Sequence, residues 1–580
     1  ELYKDLKLKT NFGVDFNSYS RSYYRPSTLP TSLDRVPPSV PEGSKRDKNM
    51  LNWVWENTLS YVKIFKQDHH LSAVAGWSAQ KESANTSLIA GNGYPNDLVH
   101  TINAASAITN WSATAYEWSL LSALARAQYS YKGKYMLSAA VRADGSSRFG
   151  KNNRWGTFPS VSAGWYVSEE DFMKNLNWLS SLKLRASYGV SGNFNIGNYD
   201  YYATLSEDNY VYGKNDGTLA NGLYPSTAGN PDLGWEKTAM LNLGLEFGLF
   251  NMFTFELDWY TSTTSDMLLD VPVAEFSGFS TIPMNIGKVS NKGIEFSLAT
   301  TNKWGDFTWN NRFNISANRN EVVDLGGAEE MLTTTESVTF ITKVGEPIGN
   351  YYTLVTDGVF ANQAEIDNSK DPDKTKRKYA YVEGAKPGDF RYKDIDGNGE
   401  INENDRTITG NYMPKFTYGF STEMKYKNLD LAVSLQGVQG NKIANIFRRY
   451  IDNMEGGNNC QIDALDRWVS EDDPGSGLVV RANRSATGMN GTTSTWHIED
   501  GSYLRIKNIT LGYTLPKDWL SNVGINHLRV YLSTQNPFTF TKYSGYNPEV
   551  NMKGNSLTPG IDYGTYPLAK SFVFGLNVTF

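Results

Sequence analysis

A chain of 580 residues is far longer than one ordinary globular core holds, so it requires several domains or one very large sheet. A formal net charge of −6 argues against nucleic acid as the main partner, because phosphate neutralisation needs clustered Lys and Arg. The single cysteine, Cys460, excludes an internal disulfide framework and a Cys-based zinc site, and the five histidines lack HExxH spacing.

Helical periodicity is nearly absent, whereas period-2 alternation recurs from end to end. It predicts about sixteen strands: 6–19, 52–64, 70–81, 116–131, 134–147, 157–167, 181–190, 237–249, 252–264, 285–301, 306–320, 415–426, 428–437, 502–515, 528–536 and 570–580. The last is the clearest: Phe572, Phe574, Leu576, Val578 and Phe580 alternate with Val573, Gly575, Asn577 and Thr579. Tight turns such as Lys132-Gly133, Leu249-Phe250-Asn251, Trp304-Gly305 and Lys427 alternate with long connections at 20–51, 82–115, 191–236, 321–414, 438–501 and 537–569.

This segregation of loop length is what an outer-membrane barrel requires, with short periplasmic turns on one side and long outer loops on the other. A soluble sandwich has no reason to sort its loops by side. The composition agrees: 35 Tyr, 27 Phe, 15 Trp and 51 Gly occur with a mean hydropathy of −0.46, as expected where only alternate residues face lipid. No apolar run approaches the ~18 residues of a membrane helix. In hydrocarbon every backbone N–H and C=O must be paired, so such a sheet has to close on itself. The expected fold is therefore all-β, a transmembrane antiparallel up-and-down β-barrel with long extracellular loops, embedded in outer-membrane lipid. Two features strain the reading. Pro159 lies inside a proposed strand without an amide hydrogen, and the strand 52–64 carries Trp53, Val54 and Trp55 on both faces.

Several stretches closely resemble the SusC/RagA group of TonB-dependent outer-membrane transporters. They are RADGSSRFG (142–150), RWGTFPSVSAGW (154–165), LKLRASYGVSGN (182–193), GNPDLGWEKT (229–238), NIGKVSNKGIEFSL (285–298), GDFRYKDIDGNGEI (388–401), YLRIKNITLGYTLP (503–516) and LRVYLSTQNPFTFTKYSGYNPEV (528–550). The resemblance implies a 22-stranded barrel filled by an N-terminal plug, energy drawn from the TonB complex, and a SusD-like surface lipoprotein as a lid. Against that pattern the chain starts at Glu1 with no plug-like segment and about six strands too few. Residues 1–580 are thus expected to be the C-terminal part of the barrel, with the plug and first strands missing from this chain. The resemblance implies TonB-dependent import of an oligosaccharide or oligopeptide. The rival readings are a passive 16-stranded diffusion porin and a soluble β-rich carbohydrate-binding protein or glycan hydrolase.

Within the connection 321–414, residues 394–405 have the spacing of a twelve-residue Ca²⁺ loop. Asp394, Asp396, Asn398, Asn402 and Asp405 fall at positions 1, 3, 5, 9 and 12, with Gly399 at position 6, Ile401 at position 8 and the carbonyl of Glu400 at position 7. Asp at position 12 reaches less far than the usual Glu. The bland alternative is a solvated Asp-Gly turn. A bound Ca²⁺ here would be structural.

Other features favour ordinary readings. Tyr210, Tyr212, Tyr224, Tyr351 and Tyr352 suit sugar rings or peptide side chains but more often pack loop on loop or against a lid. Arg448, Arg449 and Tyr450 read as a solvated face, His69-His70 as a polar turn, and Cys460 as a bystander thiol. Glu169-Glu170 and Glu329-Glu330 point to opposite faces of an extended chain and cannot flank one scissile bond. With no P-loop, GxSxG or dinucleotide fingerprint, an enzyme is not expected.

Overall fold

The computed structural model describes residues 5–30, 37–212, 217–455, 458–484, 488–520, 524–551 and 554–580. The intervening parts of the predicted connections lie outside the described residues, as do the side chains of Pro272 and Glu275.

Sixteen strands follow one another in sequence order in a single sheet. They are β1 (Leu6–Arg25), β2 (Glu42–Phe65), β3 (His69–Asn92), β4 (Ala107–Tyr131), β5 (Tyr135–Ser146), β6 (Trp155–Tyr166), β7 (Leu179–Asn193) and β8 (Glu236–Leu249). The order continues with β9 (Phe253–Ser265), β10 (Lys288–Trp304), β11 (Phe307–Asp324), β12 (Phe416–Tyr426), β13 (Leu429–Gln439), β14 (Tyr503–Thr514), β15 (His527–Thr541) and β16 (Ser571–Thr579). Each predicted strand is present.

The chain divides into two compact units. In the first (residues 1–165, 186–241 and 264–287), directly opposed residues share a face. One face carries Leu8, Phe12, Val14 and Phe16 of β1, Leu51, Trp55 and Leu59 of β2, Trp77 of β3, Leu121 of β4, and Leu137 and Val141 of β5, all exposed. The other face presents Lys7, Lys9, Asn11, Asp15 and their polar partners. Near the short turns an aromatic belt runs across the strands: His69 packs on Phe65 and Tyr131, Tyr131 on Tyr135, and Tyr135 on Trp165. The His69 Nδ1 sits 2.6 Å from the Tyr129 hydroxyl, so this histidine belongs to the belt.

Strands β1 to β4 run well beyond their predicted bounds. At ~3.3 Å per residue, the 24 residues of β2 span about 80 Å, whereas ~9–11 tilted residues cross a bilayer. The extra length is polar. Above Phe16 the same face carries Ser18, whose hydroxyl donates to Asn49 at 2.8 Å, and Ser20, which donates to Asp47 at 2.6 Å. Apolar alternation marks only the lipid-facing part of a strand, so the sequence signal stops there while the ladder continues. Trp53 and Trp55 share the apolar face, Trp55 edge-on to Trp77 at 5.0 Å with its indole N–H on Thr10 at 3.0 Å, while Val54 stands on the polar face opposite Gly13. Pro159 sits opposite Val141 in β6, one missing donor in a twelve-residue strand.

In the second unit (166–185, 242–263 and 288–580) an aromatic ladder crosses four strands through Phe247, Phe255, Phe296 and Phe313, with centroids 4.6, 6.2 and 6.4 Å apart. Farther along, Leu431, Leu511, Leu532 and Phe574 stand opposite one another on one face. The reverse face carries charge. Arg185 bridges Glu246 at 2.7 Å, Glu256 at 2.7 Å and Asp258 at 3.0 Å, while Lys183 reaches Glu246 at 3.3 Å.

Candidate functional site

The connections 321–414, 438–501 and 537–569 fold into a module of their own. Val338-Thr-Phe-Ile-Thr is a short β-branched and aromatic run, buried on both faces, that pairs back on Glu330–Thr335. Glu336 and Ser337 turn the hairpin with φ of 50° and 67°, the left-handed pair that a two-residue hairpin turn demands. Asn350–Thr353 and Thr407–Asn411 complete a four-stranded sheet. Beside it Lys442–Asn445, Ile498–Asp500 and Ile561–Asp562 form a second, three-stranded one. A core of Leu354, Phe360, Ile366, Val382, Phe390 and Val480 lies under these segments. A second core gathers Val338, Phe340, Tyr351, Ala444, Ile446 and Ile561.

This packing sorts the predicted candidates. Tyr351 is fully buried, and its hydroxyl donates to the Gly560 carbonyl at 3.0 Å, so it is core rather than a ligand contact. Burial raises its hydroxyl well above the usual phenol range. Tyr210, Tyr212 and Tyr224 instead lie exposed on a separate hairpin, Thr204–Tyr212 with Thr218–Thr227. The solvated-face reading of Arg448 is corrected. Its guanidinium is mostly buried, 2.7 Å from both Asp452 and the Trp496 carbonyl and 4.0 Å above the Trp496 ring. Arg449 donates to Ser337 at 2.9 Å, and Cys460 is exposed and free.

The twelve-residue loop lies on the first core. Ile401 at position 8 is buried in it, and its amide donates to Tyr381 O at 2.8 Å. Carboxylate oxygens of Asp394, Asp396 and Asp405 lie within 4.8 Å of one another. Asp394 accepts from the amides of Gly397 and Gly399, each at 2.7 Å. Both glycines have positive φ, 73° and 84°, which lets the chain wrap round the carboxylate. Asp405, fully buried, accepts from Ile395 N and Asn402 N at 2.8 Å. The Asn402 side chain accepts from Asn404 N and so caps the short turn Glu403–Asp405. Asn398 Oδ1 accepts from Glu400 N at 2.7 Å, and the Glu400 carboxylate is outside the acidic group. Three of the six predicted residues therefore bring carboxylates together, while Asn398, Glu400 and Asn402 shape the turn. Lys374 and Arg377 bind the carbonyls of Asn398 and Gly399. Among the described residues, none of the three aspartates forms an ion pair with Lys, Arg or His.

No sequence signal marks the anchor that holds the last connection. Arg505 of β14 is fully buried and donates to Thr539 at 3.0 Å, to Asn547 at 2.8 Å and to the Glu549 carboxylate. Tyr503 also donates to Glu549, at 2.5 Å. The partners are 44 residues apart, and no local spacing announces the pair.

Residues 2–536 match the family model of the TonB dependent receptor-like β-barrel. The chain belongs to that family. TonB-dependent receptor P3 of Formosa agariphila is 33% identical, matching all of this chain and 57% of its own length. TonB-dependent receptor SusC of Bacteroides thetaiotaomicron is 32% identical over 81% of this chain and 44% of its own. The RagAB peptide transporter structure superposes with a TM-score of 0.81 at 28% identity, over all of this chain and 60% of that one. This TonB-dependent receptor barrel thus spans little more than half the length of these relatives. It is of the SusC/RagA type, resides in the outer membrane, and belongs to a class of receptors and transporters, not enzymes. The short turns accordingly face the periplasm, and the loop module faces outward.

Proposed function

We propose that residues 1–580 form the C-terminal barrel part of an importer that carries an oligomeric nutrient, a glycan or a peptide, across the outer membrane. A plug and further wall strands complete it, TonB energises it, and a SusD-like lipoprotein lids it. The observation that carries this reading is the cored outer module joined to a wall charged on its inner face. A passive pore has little use for so much ordered outer structure, whereas a receptor needs rigid elements to present loops to cargo and lid. The likeness to the RagAB peptide transporter supports peptide cargo, with glycan as the alternative. Mild detergent extraction of the whole protein from its native membrane, followed by mass spectrometry, tests it. Co-purification of a lipoprotein and an oligomeric ligand is expected, with no steady conductance from the intact protein. An open, unlidded channel would favour the porin.

We further propose that residues 394–405, in the outer connection 321–414, hold a structural Ca²⁺ through Asp394, Asp396, Asp405 and the Glu400 carbonyl, with Asn398 and Asn402 completing the shell. Three converging carboxylates without a cationic partner, of which Asp405 is fully buried, support this, because a buried negative charge is costly until paired. Affinity in the range of about 10⁻⁴–10⁻³ M is expected, typical of extracellular modules. Asp396 is exposed, so Asp396→Ala leaves the core intact while weakening Ca²⁺ by at least about tenfold, as loss of one charged ligand implies. Calcium titration monitored by Tb³⁺ displacement reads this directly. Unchanged affinity in the variant would reduce the loop to an Asp-Gly turn.

A further inference from the structure

The outer part of β4 is a free sheet edge. β4 runs from Ala107 to Tyr131 and pairs with β3 along its whole length, whereas β5 covers it only from Leu120 to Tyr131. In an antiparallel ladder alternate residues turn both N–H and C=O towards the same neighbour. Ser119 O accepts from Ser147 N at 3.0 Å, on the side of β5, so the odd-numbered residues of β4 face away from β3. Farther out, Trp111, Ala113 and Ala115 therefore direct three N–H and three C=O groups to the open side. Among the described residues no strand pairs with them there.

The open stretch is bounded at both ends. Below it the Tyr199 hydroxyl accepts from Glu117 N at 3.0 Å and donates to Glu117 O at 3.2 Å, filling the next edge position. Above it the register shift at Ala90/Gly91 bulges β4 at Thr109 and ends the alternation. Tyr131 lies at the periplasmic end of β4, and ~9–11 tilted residues cross a bilayer, so residues sixteen to twenty positions away stand in the outer medium. Exposed edges are ordinarily blunted by charge, proline or a covering segment. This one is not. Thr101 to Tyr116 contains no Lys, Arg, Asp, Glu or Pro, and Ala107 to Ala115 is exposed on both faces.

We propose that Trp111–Ala115 takes an extended oligopeptide as an added antiparallel strand, an inference that rests on the import reading above and assigns it peptide cargo. The bonding pattern selects the occupant. Paired N–H and C=O groups at a ~6.8 Å repeat match another peptide backbone, and a glycan has no such alternation. Main-chain pairing is indifferent to most side chains, which suits a receptor for mixed peptides, and the methyls of Ala113 and Ala115 leave the approach clear. A second copy does not fit. Two barrels set the same way in one membrane have β4 running in the same sense and cannot pair it antiparallel.

Fluorescence anisotropy of a dye-labelled, end-blocked Val-Thr-Val-Thr-Val peptide, with the whole protein in nanodiscs, tests this. Methylating every second amide of the peptide leaves one of its edges free and is expected to preserve binding, whereas methylating every amide is expected to abolish it. Ala113→Pro removes one edge N–H and leaves the β3 ladder whole, so it is expected to weaken binding about fivefold, the worth of one hydrogen bond. Heat-dependent gel mobility equal to the parent's verifies that this variant assembles. Binding that ignores both methylation and Ala113→Pro would overturn the edge while leaving peptide import standing. A peptide that does not bind at all would overturn the peptide assignment with it. Release of a co-purifying lipoprotein by Ala113→Pro, with the peptide still held, would give the edge to a strand of the lid and equally defeat the proposal.

Discussion

Substituting Glu549 by alanine is expected to loosen the 537–569 connection by about 3 kcal/mol, since it leaves the guanidinium of Arg505 buried without its counter-charge. An exposed pair would be worth less than about 1 kcal/mol. Burial decides between these figures. Arg505 is 1% exposed and Glu549 about a third, which sets the expectation at the lower end of the buried range. At 1.4 kcal/mol per decade, protease cleavage within residues 542–551 then accelerates by about a hundredfold. Replacing both partners by apolar residues, Arg505→Met with Glu549→Leu, is expected to recover most of the loss, because no charge is left stranded. The anchor also depends on pH. Burial pushes the Glu549 carboxyl up, but hydrogen bonds from Tyr503 and Arg505 and the nearby guanidinium charge outweigh it, holding the carboxyl below its usual 4.5. A carboxyl with a lowered folded-state value stabilises fully above its unfolded value and loses that contribution as pH falls through the folded one. Cleavage is therefore expected to rise as pH drops below about 4.5, and Glu549→Gln to flatten that rise. A Glu549→Ala protein as protease-resistant as the parent would show that the module holds the connection by other contacts.

The same physics explains which parts of the molecule were legible in the sequence. Each wall strand has one face in lipid and one in water, so alternation is enforced residue by residue and all sixteen strands could be read. Strand ends were less legible, because above the bilayer both faces of β2 are wet and Ser44 to Asn49 carry no alternation. The loop module was illegible as a module. Phe360, Ile366 and Phe390 contribute to one core from separate segments, and their spacing follows neither the helical nor the strand period. Val338–Ile341 could have been found, since its run of fully buried residues reads as a short strand inside a supposed loop. The Ca²⁺-type loop was visible because its ligand spacing is local. The Arg505–Glu549 anchor was invisible because its partners are brought together only by the pairing of β14 with β15.

The second large effect concerns the lipid face itself. Leu532 lies between Leu511 and Phe574 in the cross-strand row, exposed, and five residues from the periplasmic start of β15 at His527. That position is near the midplane of a span of ~9–11 residues. Leu532→Arg is expected to cost about 2–4 kcal/mol, the penalty for a guanidinium at mid-depth on a barrel's outer surface. The control lies on the other face. Ser434 lines a groove of about 350 Å³ with Ser297, Arg312 and Ser421, so Ser434→Arg has room and water and should change stability by only about 0.5 kcal/mol. Denaturant midpoints of the two variants in lipid vesicles, with heat-dependent gel mobility as the check on assembly, measure the difference. It must be a difference of faces: the two substitutions add the same side chain to strands of one sheet, β13 and β15 on either side of β14, and differ in whether it meets hydrocarbon or the polar interior. Equal cost at both positions would mean that the Leu and Phe rows do not face lipid.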